Sequence, residues 1–91
     1  MLEFNVLEEF KPNEEVLELI GDRLIDVSHG SVRTVKRTNI KTITPITYKI
    51  TLNNETIVIC EYEGEIRGNK SFFIPELGEA YSLKEIKKIL S

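Results

Sequence analysis

The sequence predicts an α+β domain in which a mostly antiparallel sheet of four to five short strands carries an N-terminal and a C-terminal helix, in the order β-α-β-β-β-β-α. Three observations predict this class. Apolar residues recur at helical spacing after residue 13 and after residue 82, apolar and polar residues alternate between those segments, and Asn or Gly residues separate the alternating runs. A chain of 91 residues suffices for one hydrophobic core, so residues 1–91 are expected to form a single domain.

The first strand and the first helix are predicted from residues 2–30. Apolar and polar residues alternate over residues 2–6, which indicates a short strand with one buried face. Asn13 is a preferred N-cap residue, and the acidic residues after it favour the positive end of a helix dipole. An apolar stripe then predicts a helix that ends at Gly30, and its members are Val16, Leu19, Ile20, Leu24 and Val27.

The middle of the chain has the strongest β signal. Residues 31–44 are rich in Val, Thr and Ile, which favours a strand up to Pro45 although the residues do not alternate cleanly. Residues 46–52 alternate regularly, and Asn53-Asn54 can adopt the positive φ of a tight turn. A two-residue loop places Tyr48 opposite Ile59. The returning strand, residues 56–62, is apolar on both faces and is therefore expected in the centre of the sheet.

The C-terminal third predicts a last strand and a last helix. Turns are expected near residues 64 and 68, and residues 71–74 form a short apolar run before Pro75. Phe72 and Phe73 are adjacent, so a strand would point them to opposite faces and leave one outside the core as a candidate contact for a partner. Ser82 and Glu85 have the spacing of a capping box, which indicates the start of the last helix.

Acidic residues recur every four positions along the first predicted helix. Because residues four apart are neighbours on a helix, this spacing stacks like charges into one ridge, which comprises Glu14, Glu18, Asp22 and Asp26. A basic counterpart is therefore implied, either within this chain or on another molecule. The first hypothesis is that the ridge binds a basic protein surface and that the chain is a small adaptor or inhibitor.

A basic segment supports an alternative hypothesis. Residues 29–51 contain five Lys or Arg residues and no acidic residue. Threonine and asparagine residues are interspersed among the cations of this segment, a combination that suits phosphate contacts, and the cations are Arg33, Lys36, Arg37 and Lys41. The alternative is thus a nucleic-acid-binding module that uses Arg33-Lys41. The formal net charge of −3 neither requires nor excludes this partner.

Motifs for catalysis or cofactor binding are weak. The only nucleophilic pair that can be named is Cys60 with His29, and a cysteine within an apolar strand is usually a small core residue. The sequence contains no calcium-loop spacing and no zinc-ligand spacing. We therefore expect no enzymatic activity, no metal and no cofactor.

Cysteine content and hydropathy indicate where the protein acts. A single cysteine cannot form an intramolecular disulfide, which fits a reducing cytoplasm better than secretion. Acidic residues occupy the N-terminal region, where a signal peptide would be basic, and no stretch of apolar residues is long enough to cross a bilayer. A membrane partner is not expected, whereas pairing with a second copy of the chain is a further option.

Overall fold

The computed structural model describes residues 5–35, 38, 40–63 and 70–91. Within these residues the predicted α+β class, with a helix near each end of the chain, is confirmed. A 3₁₀ turn, Gly21–Arg23, follows the first helix. The elements in chain order are β1 (Asn5–Phe10), α1 (Glu14–Ile20), β2 (Leu24–Val27), β3 (Gly30–Val35), β4 (Ile40–Thr44), β5 (Ile46–Leu52), β6 (Glu55–Glu61), β7 (Phe72–Ile74), β8 (Glu79–Tyr81) and α2 (Leu83–Leu90).

The described strands form two antiparallel sheets instead of the single sheet of four to five strands that the sequence predicts. One sheet has the order β1-β3-β4, and the other has the order β2-β5-β6-β7-β8. Residues 31–44 do not alternate cleanly because they contain a turn, at which the Thr38 amide donates to the Val35 carbonyl at 3.3 Å. The predicted central position of residues 56–62 is confirmed, since β6 is the third of five strands.

The first helix is much shorter than predicted, and this part of the sequence interpretation was wrong. α1 ends at Ile20, where Gly21 takes a φ of 57° and donates its amide to the Leu17 carbonyl. A positive φ is inexpensive for glycine, so the chain can leave the helix at this residue. Leu24 and Val27, which complete the apolar stripe, instead lie in β2 and pair with β5.

The core lies between the five-stranded sheet and the two helices. Side chains from alternate positions of β5 point to the same face of the sheet, and both helices cover that face. The fully buried side chains of this core are Val16, Ile20, Ile46, Tyr48, Ile50, Ile59, Phe72, Ile74, Ile86 and Leu90. Phe72 lies in this core and Phe73 remains half-buried on the other face, as their adjacency in a strand predicts.

Two local predictions in the C-terminal half are confirmed. Asn53 and Asn54 have φ values of 52° and 66°, and the resulting turn sets Tyr48 opposite Ile59. Ser82 and Glu85 form a capping box at the start of α2. The turns predicted near residues 64 and 68 lie outside the described residues. Strand β8 was missed because its three residues, Glu-Ala-Tyr, lack the apolar run that marks β7.

Arg23 joins the C-terminal ends of both helices. Its Nε donates to the Ile20 carbonyl at 3.1 Å, and its Nη2 donates to the carbonyls of Leu19 and Leu90. The last carbonyls of a helix lack intrahelical partners and carry a partial negative charge, so a single guanidinium stabilises two helix ends. The 3₁₀ turn thereby fixes α1 against α2.

The three-stranded sheet is attached to the rest of the molecule near Phe10. The ring of Phe10, which packs against the core, lies over Gly30 on the neighbouring strand. A Cβ atom at residue 30 would lie 2.2 Å from Cζ of this ring, so any larger residue would have to displace the ring. The molecule is elongated, with extents of 51 × 26 × 21 Å.

We expect Gly30→Ala to destabilise the fold by about 1–3 kcal/mol, because the added methyl group collides with the Phe10 ring. Urea denaturation monitored by circular dichroism measures this change. The cost should be much smaller in a Phe10→Ala background, where the ring is absent. An equal cost in both backgrounds would show that the close approach of the ring does not determine the effect.

Candidate partner-binding surface

The structure does not assemble the four acidic residues into a helical ridge. Glu14 and Glu18 are exposed and four apart on α1, so only these two are neighbours of the predicted kind. Asp22 lies in the 3₁₀ turn beyond Gly21. Asp26 lies in β2, where the strand register places it opposite Lys49 of β5. The ridge was wrong as a structural prediction, because the helix that would have carried it ends at Ile20.

Asp26 is also on the opposite side of the sheet from α1. Its cross-strand neighbour, Lys49, is exposed, whereas the adjacent residues Tyr48 and Ile50 point into the core under the helices. Successive residues of a strand alternate between faces, so Asp26 faces away from Glu14 and Glu18. A flat partner surface could not contact all four carboxylates together.

The described ion pair of α1 is made with the other helix. Glu15 pairs with Lys87 of α2, and both side chains are partly exposed. The described cations of the basic segment, Arg33 and Lys41, form no ion pair with a described residue. The charge of this segment is therefore not neutralised within the part of the chain that the structure describes.

The basic segment forms a hairpin rather than a single strand. Arg33 lies on β3 opposite Thr42, and Lys41 lies on β4 opposite Thr34. Because Lys41 and Thr42 are consecutive, Arg33 and Lys41 point to opposite faces of the three-stranded sheet. Lys36 and Arg37, the other two predicted contacts, lie outside the described residues.

Strand β4 is the most accessible apolar strand in the described chain. All five of its residues are exposed, including Ile40 at 61% and Ile43 at 45%. Among the described strands it pairs with β3 alone, so the backbone donors and acceptors of its second edge have no strand partner in the described part of the chain. Leu7 of β1, 48% exposed, adds apolar surface to the same sheet. The composition of residues 31–44 predicted a strand here but could not show that it would be a free edge.

The register assigns each side chain of β4 to a face. Ile43 and Lys41 lie on one face, beside Val32 and Thr34 of β3. Ile40 and Thr42 lie on the other face with Arg33. An additional strand alongside β4 would therefore meet Ile43 and Lys41 on one face and Ile40 on the other.

Two open clefts lie elsewhere and offer little for chemistry. One, of about 360 Å³, is lined by Lys70, Gly78, Glu79 and Ala80. The other, of about 380 Å³, lies between the β5–β6 turn and the β7–β8 turn, and its lining includes Ile57, Ile74 and Leu77. Neither lining contains a cysteine or a histidine. Among the described residues, no group of three His, Cys, Asp or Glu residues could hold a metal ion.

Cys60 and His29 do not form a nucleophilic pair. Cys60 is buried in β6 between Thr47 and Phe73, and His29 is exposed just before β3. No hydrogen bond between described residues links the two. Burial, together with the charge of Glu76, raises the pKa of the Cys60 thiol, which disfavours the reactive thiolate.

The buried polar cluster of the core has a structural function. The Tyr48 side chain is fully buried, and its hydroxyl accepts from the Asn13 amide at 2.8 Å and donates to the Glu61 carboxylate. Burial raises the pKa of Glu61, an effect that hydrogen bonds from Tyr48 and Asn13 partly oppose. Burial also raises the pKa of Tyr48. Since the partners of this hydroxyl are already fixed, the cluster anchors the start of α1.

Comparison of the chain with models of protein families, with curated proteins and with solved structures finds no match. Within the described residues, no helix is long and apolar enough to cross a membrane.

Replacing Glu61 with Gln should make stability less dependent on pH. The pKa of Glu61 is raised in the folded state, so the unfolded chain loses this proton first as the pH rises. The wild type therefore loses stability between the unfolded pKa and the folded pKa, whereas Glu61→Gln has no proton to lose and keeps an acceptor for Tyr48. Urea denaturation at a series of pH values upward from about 4 measures the difference. If the stability of Glu61→Gln relative to the wild type does not increase as the pH rises, the raised pKa of Glu61 is contradicted.

Proposed function

We propose that this protein is a small binding domain, an adaptor or an inhibitor, that acts by holding an extended segment of another protein along strand β4. The observation that carries the proposal is the outer edge of β4, which has no neighbour among the described strands and whose five residues are all exposed and include two isoleucines. Strand addition to such an edge supplies main-chain hydrogen bonds for affinity, and alternate side chains supply specificity. The protein needs no chemistry of its own for this role.

Geometry favours β4 over the acidic residues that the sequence singled out. Glu14 and Glu18 are two exposed carboxylates on a short helix, and Asp26 is on the other side of the sheet. Exposed charges of this kind contribute little to affinity unless a buried apolar contact accompanies them. Ile40 and Ile43 provide that contact at β4, beside the backbone groups of a free edge.

Nucleic acid is the competing partner class. Arg33 and Lys41 are exposed, but they point to opposite faces of a thin sheet, so a single phosphate backbone would meet only one of them directly. Under our proposal, mixed-sequence DNA and RNA bind weakly at about 50 mM salt, if at all, and are released at about 200 mM. Tight binding that involves both residues would favour the nucleic-acid function instead.

The single buried cysteine also bears on where the protein acts. A thiol in the position of Cys60 needs no oxidising compartment, and the fold of the described residues contains no disulfide. We therefore assign the protein to the cytoplasm as part of the same proposal.

Replacing both Ile40 and Ile43 with Lys should abolish peptide binding. A random peptide library displayed on phage is selected on the wild-type domain, and enriched peptides are titrated against the variant. Added charge on an edge strand disfavours strand pairing, and we expect at least a tenfold loss of affinity. Both residues are exposed, so the free energy of unfolding should change by only about 0.5 kcal/mol.

Leu77→Lys is the matched control. Leu77 is 60% exposed, as Ile40 is, but lies in the β7–β8 turn of the other sheet. Enriched peptides should bind this variant as tightly as they bind the wild type. When they bind the wild-type domain, the largest chemical-shift changes of its backbone amides should be at residues 40–44. A library that yields no binder, or binders that ignore the isoleucine substitutions, would refute strand addition at β4.

A further inference from the structure

We infer that the segment held by β4 is acidic, with a carboxylate directly opposite Lys41 and apolar residues opposite Ile40 and Ile43. This inference rests on the proposed function, because it specifies the partner of the same edge. It follows from the charge of the hairpin, the side-chain register of β4 and the composition of the strand.

Charge is the first argument. Residues 29–51 contain no acidic residue, and neither Arg33 nor Lys41 pairs with a described carboxylate. Lys41 is the one cation of an otherwise apolar and hydroxyl-bearing strand, Ile40–Thr44. A lysine at this position repels a cationic strand and leaves an uncharged strand without a charge partner, so it selects a segment that carries a carboxylate there.

Register turns this preference into a pattern. A strand that runs antiparallel to β4 meets Ile43, Thr42, Lys41 and Ile40 in that order, with successive residues on alternate faces. The matching segment is apolar, polar, acidic and apolar in sequence. The acidic residue of the segment lies beside Lys41, on the same face as the first apolar residue, which lies beside Ile43. The second apolar residue lies beside Ile40 on the other face. Thr-Val-Thr-Glu-Val is a simple peptide that fits this register.

A second copy of the chain fits the edge less well. Pairing β4 with the same strand of another molecule brings two hairpins together that contain only basic charges, and these like charges repel each other. Pairing β4 with β1 of another molecule would match Lys41 with the acidic residues Glu8 and Glu9. That contact is head-to-tail, so it would build open chains unless the rotation between copies happened to close a ring.

The decisive experiment compares two peptides on two proteins. The peptides contain Thr-Val-Thr-Glu-Val or Thr-Val-Thr-Lys-Val between identical flanking residues, and the proteins are the wild type and Lys41→Glu. We expect the wild type to prefer the acidic peptide by about fivefold and Lys41→Glu to prefer the basic peptide, since an exposed cross-strand charge pair changes affinity by about two- to fivefold. Both preferences should shrink as salt rises.

Each outcome separates this inference from the function on which it rests. Equal binding of both peptides to the wild type, or a preference that Lys41→Glu does not reverse, would overturn the acidic partner while leaving strand addition in place. If neither designed peptide binds while library peptides still bind at β4, the acidic partner is likewise overturned and strand addition remains. If library peptides also fail, strand addition itself is wrong. Sedimentation that shows wild-type chains associating through β4, and Ile40→Lys/Ile43→Lys chains as monomers, would assign the edge to a second copy.

Discussion

The buried hydroxyl of Tyr48 is the interaction on which the core depends. A phenol at the centre of an apolar core would be costly without partners, and here it accepts from the Asn13 amide and donates to Glu61. These bonds fix the N-cap of α1 over β5 and β6, because Asn13 itself caps the Glu15 and Val16 amides. With the start of α1 fixed in this way, Arg23 then joins the far end of the helix to α2. The helical layer is thus held by polar contacts at both ends and by apolar packing between them.

The three-stranded sheet is stabilised in a different way from the helical layer. Of its described side chains, Phe10 packs against the core and Val32 is also buried, and both of its outer strands, β1 and β4, are edges among the described strands. Few of its side chains are buried, so its order rests mainly on backbone pairing. A sheet of this kind is expected to open more readily than the core sheet.

Sequence patterns predicted the elements that rest on local chemistry. The Asn53-Asn54 hairpin, the capping box at Ser82 and the central position of β6 depend on neighbouring residues, and all three are present. The first helix was extended too far because Leu24 and Val27 fit a helical stripe as well as a strand, and tertiary pairing with β5 decided between them. The same error produced the acidic ridge. The free edge of β4 could not have been inferred from residues 40–44 alone, since an edge is defined by which strands pair with it.

Lys41 makes the exposure of β4 consistent with a specific function. A free edge that carried only Ile and Thr would pair with many extended chains, including other copies of itself, and would be prone to aggregation. One lysine among five residues changes this, because it adds a repulsive contact with basic strands and an attractive contact with acidic ones. Proteins commonly protect edges with lysine in this way. Under the proposed function, the residue that disfavours indiscriminate pairing also selects the segment that binds beside the exposed Ile40 and Ile43, so protection and recognition would have one physical origin at this strand.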